Sequence, residues 1–344
     1  MDRAWCINQE NLTVSSESAF VDSEGRYRGI LLVKNPKAAS STSAGVAIRI
    51  SRRFNCQAIQ WQHRMAYLYS NRSTVNGASF MFSTIRDPGA RAVSSVFFHL
   101  ISRSNNEPTD DIILNYLRTR TDKHYGSRSN GQGGFQLRYL AMEEIPEFSA
   151  WNGTIDPTRV LNPHQVYQNV QHTINEYDFI LVTERMDESL VCLALLLGID
   201  VGSVIVTSSK VAGKNYHLGK PAGKPLICVP TVRSFVSPAV HSYLQSDEWR
   251  AANFGDYLLY QAANASLDYT IENVIGRESF ESTFSEYKRL KSLEAKECAP
   301  HVKFPCTNDG EPQPAVAKTN CYLRMYDFGC GYPCLDQLLE KEGV

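Results

Sequence analysis

The sequence predicts an α/β fold with a mainly parallel central sheet flanked by helices. Three observations predict it. Three short apolar runs each lead through a turn into a helical pattern, the signature of strand-turn-helix units. The composition, 43% hydrophobic and 21% charged over 344 residues, is that of a globular chain long enough for a substantial core. No repeat or low-complexity tract is present, which argues against coiled-coil, collagen-like and disordered classes.

The elements follow in chain order. Residues 1–25 are polar and are expected to be loosely held. Residues 29–33 (GILLV) form a continuous apolar run and read as a buried strand. A Ser/Thr-rich turn follows and feeds a helix over about 44–53. A second strand, 80–85 (FMFSTI), stops at Arg86-Asp87-Pro88-Gly89. The apolar positions Val93, Val96, Phe97, Leu100 and Ile101 then recur at helical spacing. A third strand, 179–182 (FILV), leads into a helix over about 188–197, with Asp187 as its N-cap and Gly198 at its end. Residues 126–134, rich in Gly, Ser and Asn, read as an exposed loop. No boundary divides the core, so the chain divides into a polar segment 1–25, one domain over 26–297, and a Cys-rich extension over 298–344.

Charge is unevenly placed. The net charge is -1, which argues against a dedicated nucleic-acid binder. Yet Arg26 to Arg91 holds eleven Lys or Arg and one acid, Asp87, so that this stretch is about +10 and the rest about -11. Such a block suits either a small polyanionic ligand or a solvated basic face.

Five of the nine cysteines fall in the last 47 residues, a loop-like segment. That clustering predicts disulfides and an oxidising compartment; zinc is the alternative, but no paired C-x-x-C supports it. The odd count leaves a free thiol, for which Cys192, inside an apolar helical pattern, is the candidate. N-x-[ST] triplets at Asn11, Asn71, Asn152 and Asn264 point the same way, towards the secretory pathway. The first thirty residues are polar with no signal-peptide or anchor pattern, and no later apolar run is long enough to span a bilayer. The expectation is therefore either an anchor upstream of this sequence or another route to the compartment.

Two segments carry candidate chemistry. In a doubly wound sheet, ligands bind where the C-terminal ends of strands meet helix N-termini. Pro36, Lys37, Ala38, Ala39, Ser40, Ser41 and Thr42 occupy such a place after the first strand. Small residues let backbone N–H groups curl around a phosphate at the positive end of a helix dipole. The hydroxyls add donors, and Lys37 adds a mobile charge. After the second strand, Arg86 can grip a phosphate with two hydrogen bonds, and Ser94 on the next helix can face the same anion. The G-x-x-x-x-G-K-[ST] pattern of nucleotide hydrolases is absent.

The Pro-Lys and Ser/Thr run before a helix resembles the 5′-phosphosulfate loop of sulfotransferases that use 3′-phosphoadenosine-5′-phosphosulfate (PAPS). It is especially similar to that of the Golgi carbohydrate enzymes, such as the hexuronic 2-O- and galactose 3-O-sulfotransferases. In that family a strand ending in Arg-[Asp/Asn/Glu]-Pro is followed by Ser eight residues after the Arg, and Arg86-Asp87-Pro88 with Ser94 has the same spacing. Residues 176–190, 133–140, 256–260 and 329–334 are similar to further family segments, so the resemblance runs from about 28 to 336. It implies a P-loop-NTPase-like sulfotransferase fold, PAPS as co-substrate and no metal.

Carried over, the resemblance assigns roles. Lys37 would stabilise the leaving phosphate, and Arg86 with Ser94 would hold the 3′-phosphate. His63 would be the general base, worth ~10²–10⁴-fold if well placed. The chain departs from the family's His-x-His and His-His forms, because Gln62 precedes His63. His99 and His124 are the fallback bases. Glu184 is a further catalytic candidate, able to orient His63 or an acceptor hydroxyl. Lys214, with Lys210 and Lys220, lies where relatives place a basic loop over the nucleotide. The implied acceptor is a glycan hydroxyl, in the Golgi lumen or secretory pathway, with a cytoplasmic location as the alternative. A small-metabolite or lipid hydroxyl, an ATP-dependent kinase, and a non-catalytic member of the family are the other readings.

Overall fold

The structure is a computed structural model that describes residues 30–54, 58–61, 66, 80–102, 106–119, 134–142, 163–207, 216–219, 227–301, 306–307, 309–313 and 332–343. The expectations for the segment 1–25, His63, His124, Lys210, Lys214, Lys220, residues 126–133 and the triplets at Asn11, Asn71 and Asn152 lie outside the described residues.

Among the described residues four strands form the central sheet: β1 (Ile30–Val33), β2 (Ala58–Trp61), β3 (Phe80–Ile85) and β4 (Phe179–Val182), in the order β2-β1-β3-β4. All three pairings are parallel. Every residue of β1, β3 and β4 is buried. Because successive side chains point to opposite faces, full burial means that both faces of the sheet are covered. That is why β1 and β4 read as unbroken apolar runs and β3 as one interrupted only by Ser83 and Thr84. The polar Ser83 inside β3 is accommodated because its hydroxyl donates to the Val33 carbonyl, 2.7 Å away. β2 is at the edge of the described sheet, and Gln60 interrupts its four residues (AIQW), which leaves no such run to detect.

The helices are α1 (Ser40–Arg53), α2 (Pro88–Val96, prolonged by a π turn over Phe97–Ser102), α3 (Asp110–Thr119), α4 (Phe135–Leu140), α5 (Pro163–Glu176) and α6 (Met186–Leu197). An antiparallel pair, β5 (Tyr216–Gly219) and β6 (Ile227–Pro230), follows. Then come α7 (Pro238–Gln245), α8 (Asp247–Ala252), α9 (Phe254–Tyr269, continued by a π turn over Thr270–Ile275), α10 (Arg277–Glu297) and α11 (Tyr332–Glu342). α1 packs on β1, β2 and β3, whereas α6 and α9 both pack on β4. A smaller apolar cluster joins α2, α3, α7 and α8 around the buried Trp249.

Two boundaries differ from expectation. α1 begins at Ser40, not near 44, because the Ser/Thr run that reads as a turn forms the helix's first turn after a left-handed Ala39. α6 begins at Met186 with Arg185 before it, so Asp187 is not the N-cap. A short 3-10 turn over Thr183–Arg185 carries the chain into the helix instead. Asp187 lies in the first turn, a favourable place for a carboxylate, and accepts from Tyr287 Oη at 3.2 Å and Lys291 Nζ at 2.5 Å. Gly198 closes the helix with φ 65°, as its position implies.

The C-terminal extension is tied in by chemistry and by packing. Disulfides join Cys228 to Cys306 and Cys298 to Cys334. α11 buries Tyr332, Leu335, Leu338 and Leu339 in the main core. On α1, the fully buried Arg49 reaches Asp336 of α11 at 2.9 Å, and Tyr332 Oη donates to the Gly45 carbonyl at 3.3 Å. Cys192 is free and buried. Burial in an apolar helix penalises the thiolate and pushes its pKa up to about 12. At pH 8, alkylation mapped by peptide mass should therefore leave Cys192 unmodified in the native chain and modify it once denaturant is added. Asn264 lies within α9, half-buried, and its amide donates to the Tyr260 carbonyl at 3.0 Å. It is thus not in a surface loop.

Candidate functional site

The two segments singled out in the sequence meet at one edge of the sheet. β1 and β3 run parallel with Val33 beside Ser83, and Ile85 lies beside Val182 of β4. The chain therefore leaves β1, β3 and β4 at a common C-terminal edge, through Lys34, Arg86 and Thr183. β2 ends at Trp61, in register with Val33, at the same edge. His63 itself lies outside the described residues.

The first loop has an unusual backbone. Lys37 and Ala39 both have positive φ, 65° and 51°, which a residue with a Cβ adopts only at some cost. Asn35 and Ala38 are fully buried and anchor the loop, while Lys37, Ala39, Ser41 and Thr42 are partly exposed. No side chain caps the start of α1, and its first turn holds no acid. Its leading N–H groups thus have no capping side chain, and the positive end of its dipole lies at this loop. The start of α2 is different, because the Asp87 side chain accepts from Ala90 N at 2.8 Å and Pro88 occupies the first helical position.

Arg86 links the segments directly. Its Nη1 donates to the Lys37 carbonyl at 3.3 Å, while Lys37 Nζ sits 3.9 Å above the Phe98 ring. Arg86 is thus bonded to the backbone of the first loop, and the Lys37 ammonium rests on an aromatic face. Burial pulls the Arg86 pKa down, opposed by Glu184 and Asp87. Arg86 Nε makes no hydrogen bond among the described residues, with Glu184 Oε1 3.8 Å away. A half-buried guanidinium with spare donor capacity fits a phosphate oxygen.

Glu184 belongs to this cluster. Its Oε1 accepts from Asp87 N at 3.1 Å, and it also meets Tyr260, whose hydroxyl pKa is raised by burial first and by the Glu184 charge second. Arg185 turns away to Glu188 and Asp268, at 2.8 and 2.7 Å. Ser94 is the seventh residue of α2 and half-buried, with no hydrogen bond to Arg86 among the described residues. His99 is buried in the π turn, its ring edge-on to Phe98, as a packed residue would be. The loop carrying Lys214 lies outside the described residues.

The structure adds residues that sequence reading missed. Gln136 at the start of α4, buried Asn35 and buried Asp256 of α9 are hydrogen-bonded to one another or to Arg86 across separations of 50 to 120 residues. Gln136 and Asp256 lie in segments, 133–140 and 256–260, that the sequence marks as similar to the family, but that signal gives them no role and names no partner. Comparison with family models, curated proteins and solved structures returned no match.

Proposed function

We propose that this chain is a PAPS-dependent sulfotransferase of the P-loop-NTPase-like sulfotransferase fold, acting on a hydroxyl of a glycan. The observation that carries the reading is the hydrogen bond from Arg86 to the Lys37 carbonyl, which joins the two loops beside the uncapped start of α1 at the C-terminal edge of a parallel sheet. A donor with phosphates at two positions of one nucleotide calls for two cationic grips on adjacent loops.

The chemistry requires positioning and charge stabilisation. The acceptor oxygen forms a new bond to sulfur as the bond between sulfur and the 5′-phosphate oxygen breaks in line. Its proton passes to the His63 imidazole, and 3′,5′-ADP leaves with the bonding electron pair. The Lys37 ammonium offsets the charge that grows on the leaving oxygen. Arg86 and Ser94 hold the 3′-phosphate, and Glu184 fixes Arg86. Lys214 is assigned to the loop that closes over the nucleotide. The disulfides suit a lumenal, oxidising compartment, in keeping with a Golgi location.

The test is transfer of labelled sulfate from PAPS to a panel of neutral and acidic glycans, glycolipids and small alcohols. Label should enter a glycan, and Lys37→Ala and His63→Ala should each lower transfer by at least about 10²-fold. Incorporation only into small alcohols would reassign the acceptor, and full activity in His63→Ala would remove that residue as base.

A further inference from the structure

We propose that Gln136 is a positioning residue that fixes the spacing between the two anion-binding loops and so makes the two ends of the donor bind cooperatively. This rests on the sulfotransferase reading above. The Gln136 side chain is fully buried and every polar atom of it is engaged. Oε1 accepts from the Arg86 backbone N–H at 3.0 Å and from Asn35 Nδ2 at 3.1 Å. Nε2 donates to the Arg86 carbonyl at 2.7 Å. The orientation of the amide is settled by its partners, since a backbone N–H can only donate and a carbonyl only accept. Asn35 Nδ2 also donates to the Thr84 carbonyl at 2.9 Å. One amide therefore ties the residue two places past β1 to the residue immediately past β3.

The clamp is itself held from behind. Asp256 Oδ1 accepts from the backbone N–H groups of Gln136 and Leu137, at 2.7 and 2.9 Å, and so serves as the cap of α4. Gly134, at φ 89°, makes this approach feasible: a Cβ there would stand 2.1 Å from the Asp256 Cγ. A buried carboxylate, a short helix and a buried amide thus form one chain that ends on the Asn35 side chain at the first donor loop and on the Arg86 backbone at the second. Gln136 lies behind the loops as a hydrogen-bonding support, and its assigned action is through Asn35 and Arg86.

A spacing role has a signature that a purely structural role lacks. 3′,5′-ADP spans both loops, whereas 5′-AMP needs only the first and 3′-AMP only the second. Titration calorimetry of the three nucleotides into the full chain, wild type and Gln136→Met, reads the difference. The variant should lose about tenfold in affinity for 3′,5′-ADP while each mononucleotide changes by less than about threefold. Gln136→Glu, which places a second acceptor against the Arg86 carbonyl, should behave alike. Unchanged 3′,5′-ADP affinity, or equal losses for all three nucleotides, overturns the inference. So does failure of both variants to fold, which would make Gln136 a folding residue only. Wild-type chain that does not bind 3′,5′-ADP overturns the sulfotransferase reading itself, whereas wild-type binding with an unaffected variant overturns this inference alone.

Discussion

Replacing Arg86 by Ala should weaken binding of 3′,5′-ADP by about 10²-fold and leave the fold in place. The expected size follows from losing a charge-assisted, two-pronged hydrogen bond to phosphate, worth about 1.5–3 kcal/mol. The side chain is partly exposed and lies over the sheet edge, outside the apolar core, so its truncation opens no core cavity. Arg86→Lys should recover little, because a point charge can neither reproduce the fork nor donate to the Lys37 carbonyl in the same geometry. Calorimetric affinities for 3′,5′-ADP, with melting temperatures of both variants, check this. Equal affinity in wild type and Arg86→Ala would take Arg86 out of the donor site. Glu184 bears on the same experiment from the other side. It is an anion placed where it holds Arg86, and an incoming phosphate must share that cation with it.

Removing either disulfide should cost about 4 kcal/mol of stability. Cys228–Cys306 closes a span of 78 residues and Cys298–Cys334 one of 36. In the chain-entropy account, cross-links of such spans restrict the unfolded ensemble by about that amount. The second bond also fixes α11, whose buried Leu335, Leu338 and Leu339 complete the core beside α1. Denaturant melts of Cys298→Ala/Cys334→Ala and Cys228→Ala/Cys306→Ala variants should each show a lowered midpoint, and the wild-type chain should follow them when a strong reductant is added. A midpoint unmoved by reductant would contradict a structural role for these bonds and weaken the lumenal reading.

How much of this was legible in the sequence depended on the range of the interaction. β1, β3 and β4 were readable because parallel strands buried on both faces are mostly apolar along their length. The strand-to-turn junctions at Lys34 and Arg86 were readable because Pro, Gly and small polar residues interrupt those runs. β2 escaped because Gln60 interrupts a run of only four residues, and β5 and β6 are as short. The cysteine tail announced disulfides but not that one bond would reach back to Cys228. The clamp of Asn35, Gln136 and Asp256 was beyond local reading altogether, since each partner is chosen by tertiary geometry. Spacing alone also did not decide what Glu184 faces: the 3-10 turn after β4 aims it at Arg86 and Asp87, and sends Arg185 to Glu188.

The central claim is that the edge of this sheet binds a nucleotide phosphorylated at both the 3′ and 5′ positions. Its most direct test is the melting temperature of the intact, oxidised chain in a metal chelator, with and without 3′,5′-ADP. At a ligand concentration 100 times its Kd, linkage predicts a stabilisation of about 2.7 kcal/mol and a rise of several degrees, lost in Arg86→Ala. No shift with 3′,5′-ADP, together with a clear shift with ATP and magnesium, would contradict the account and favour a kinase.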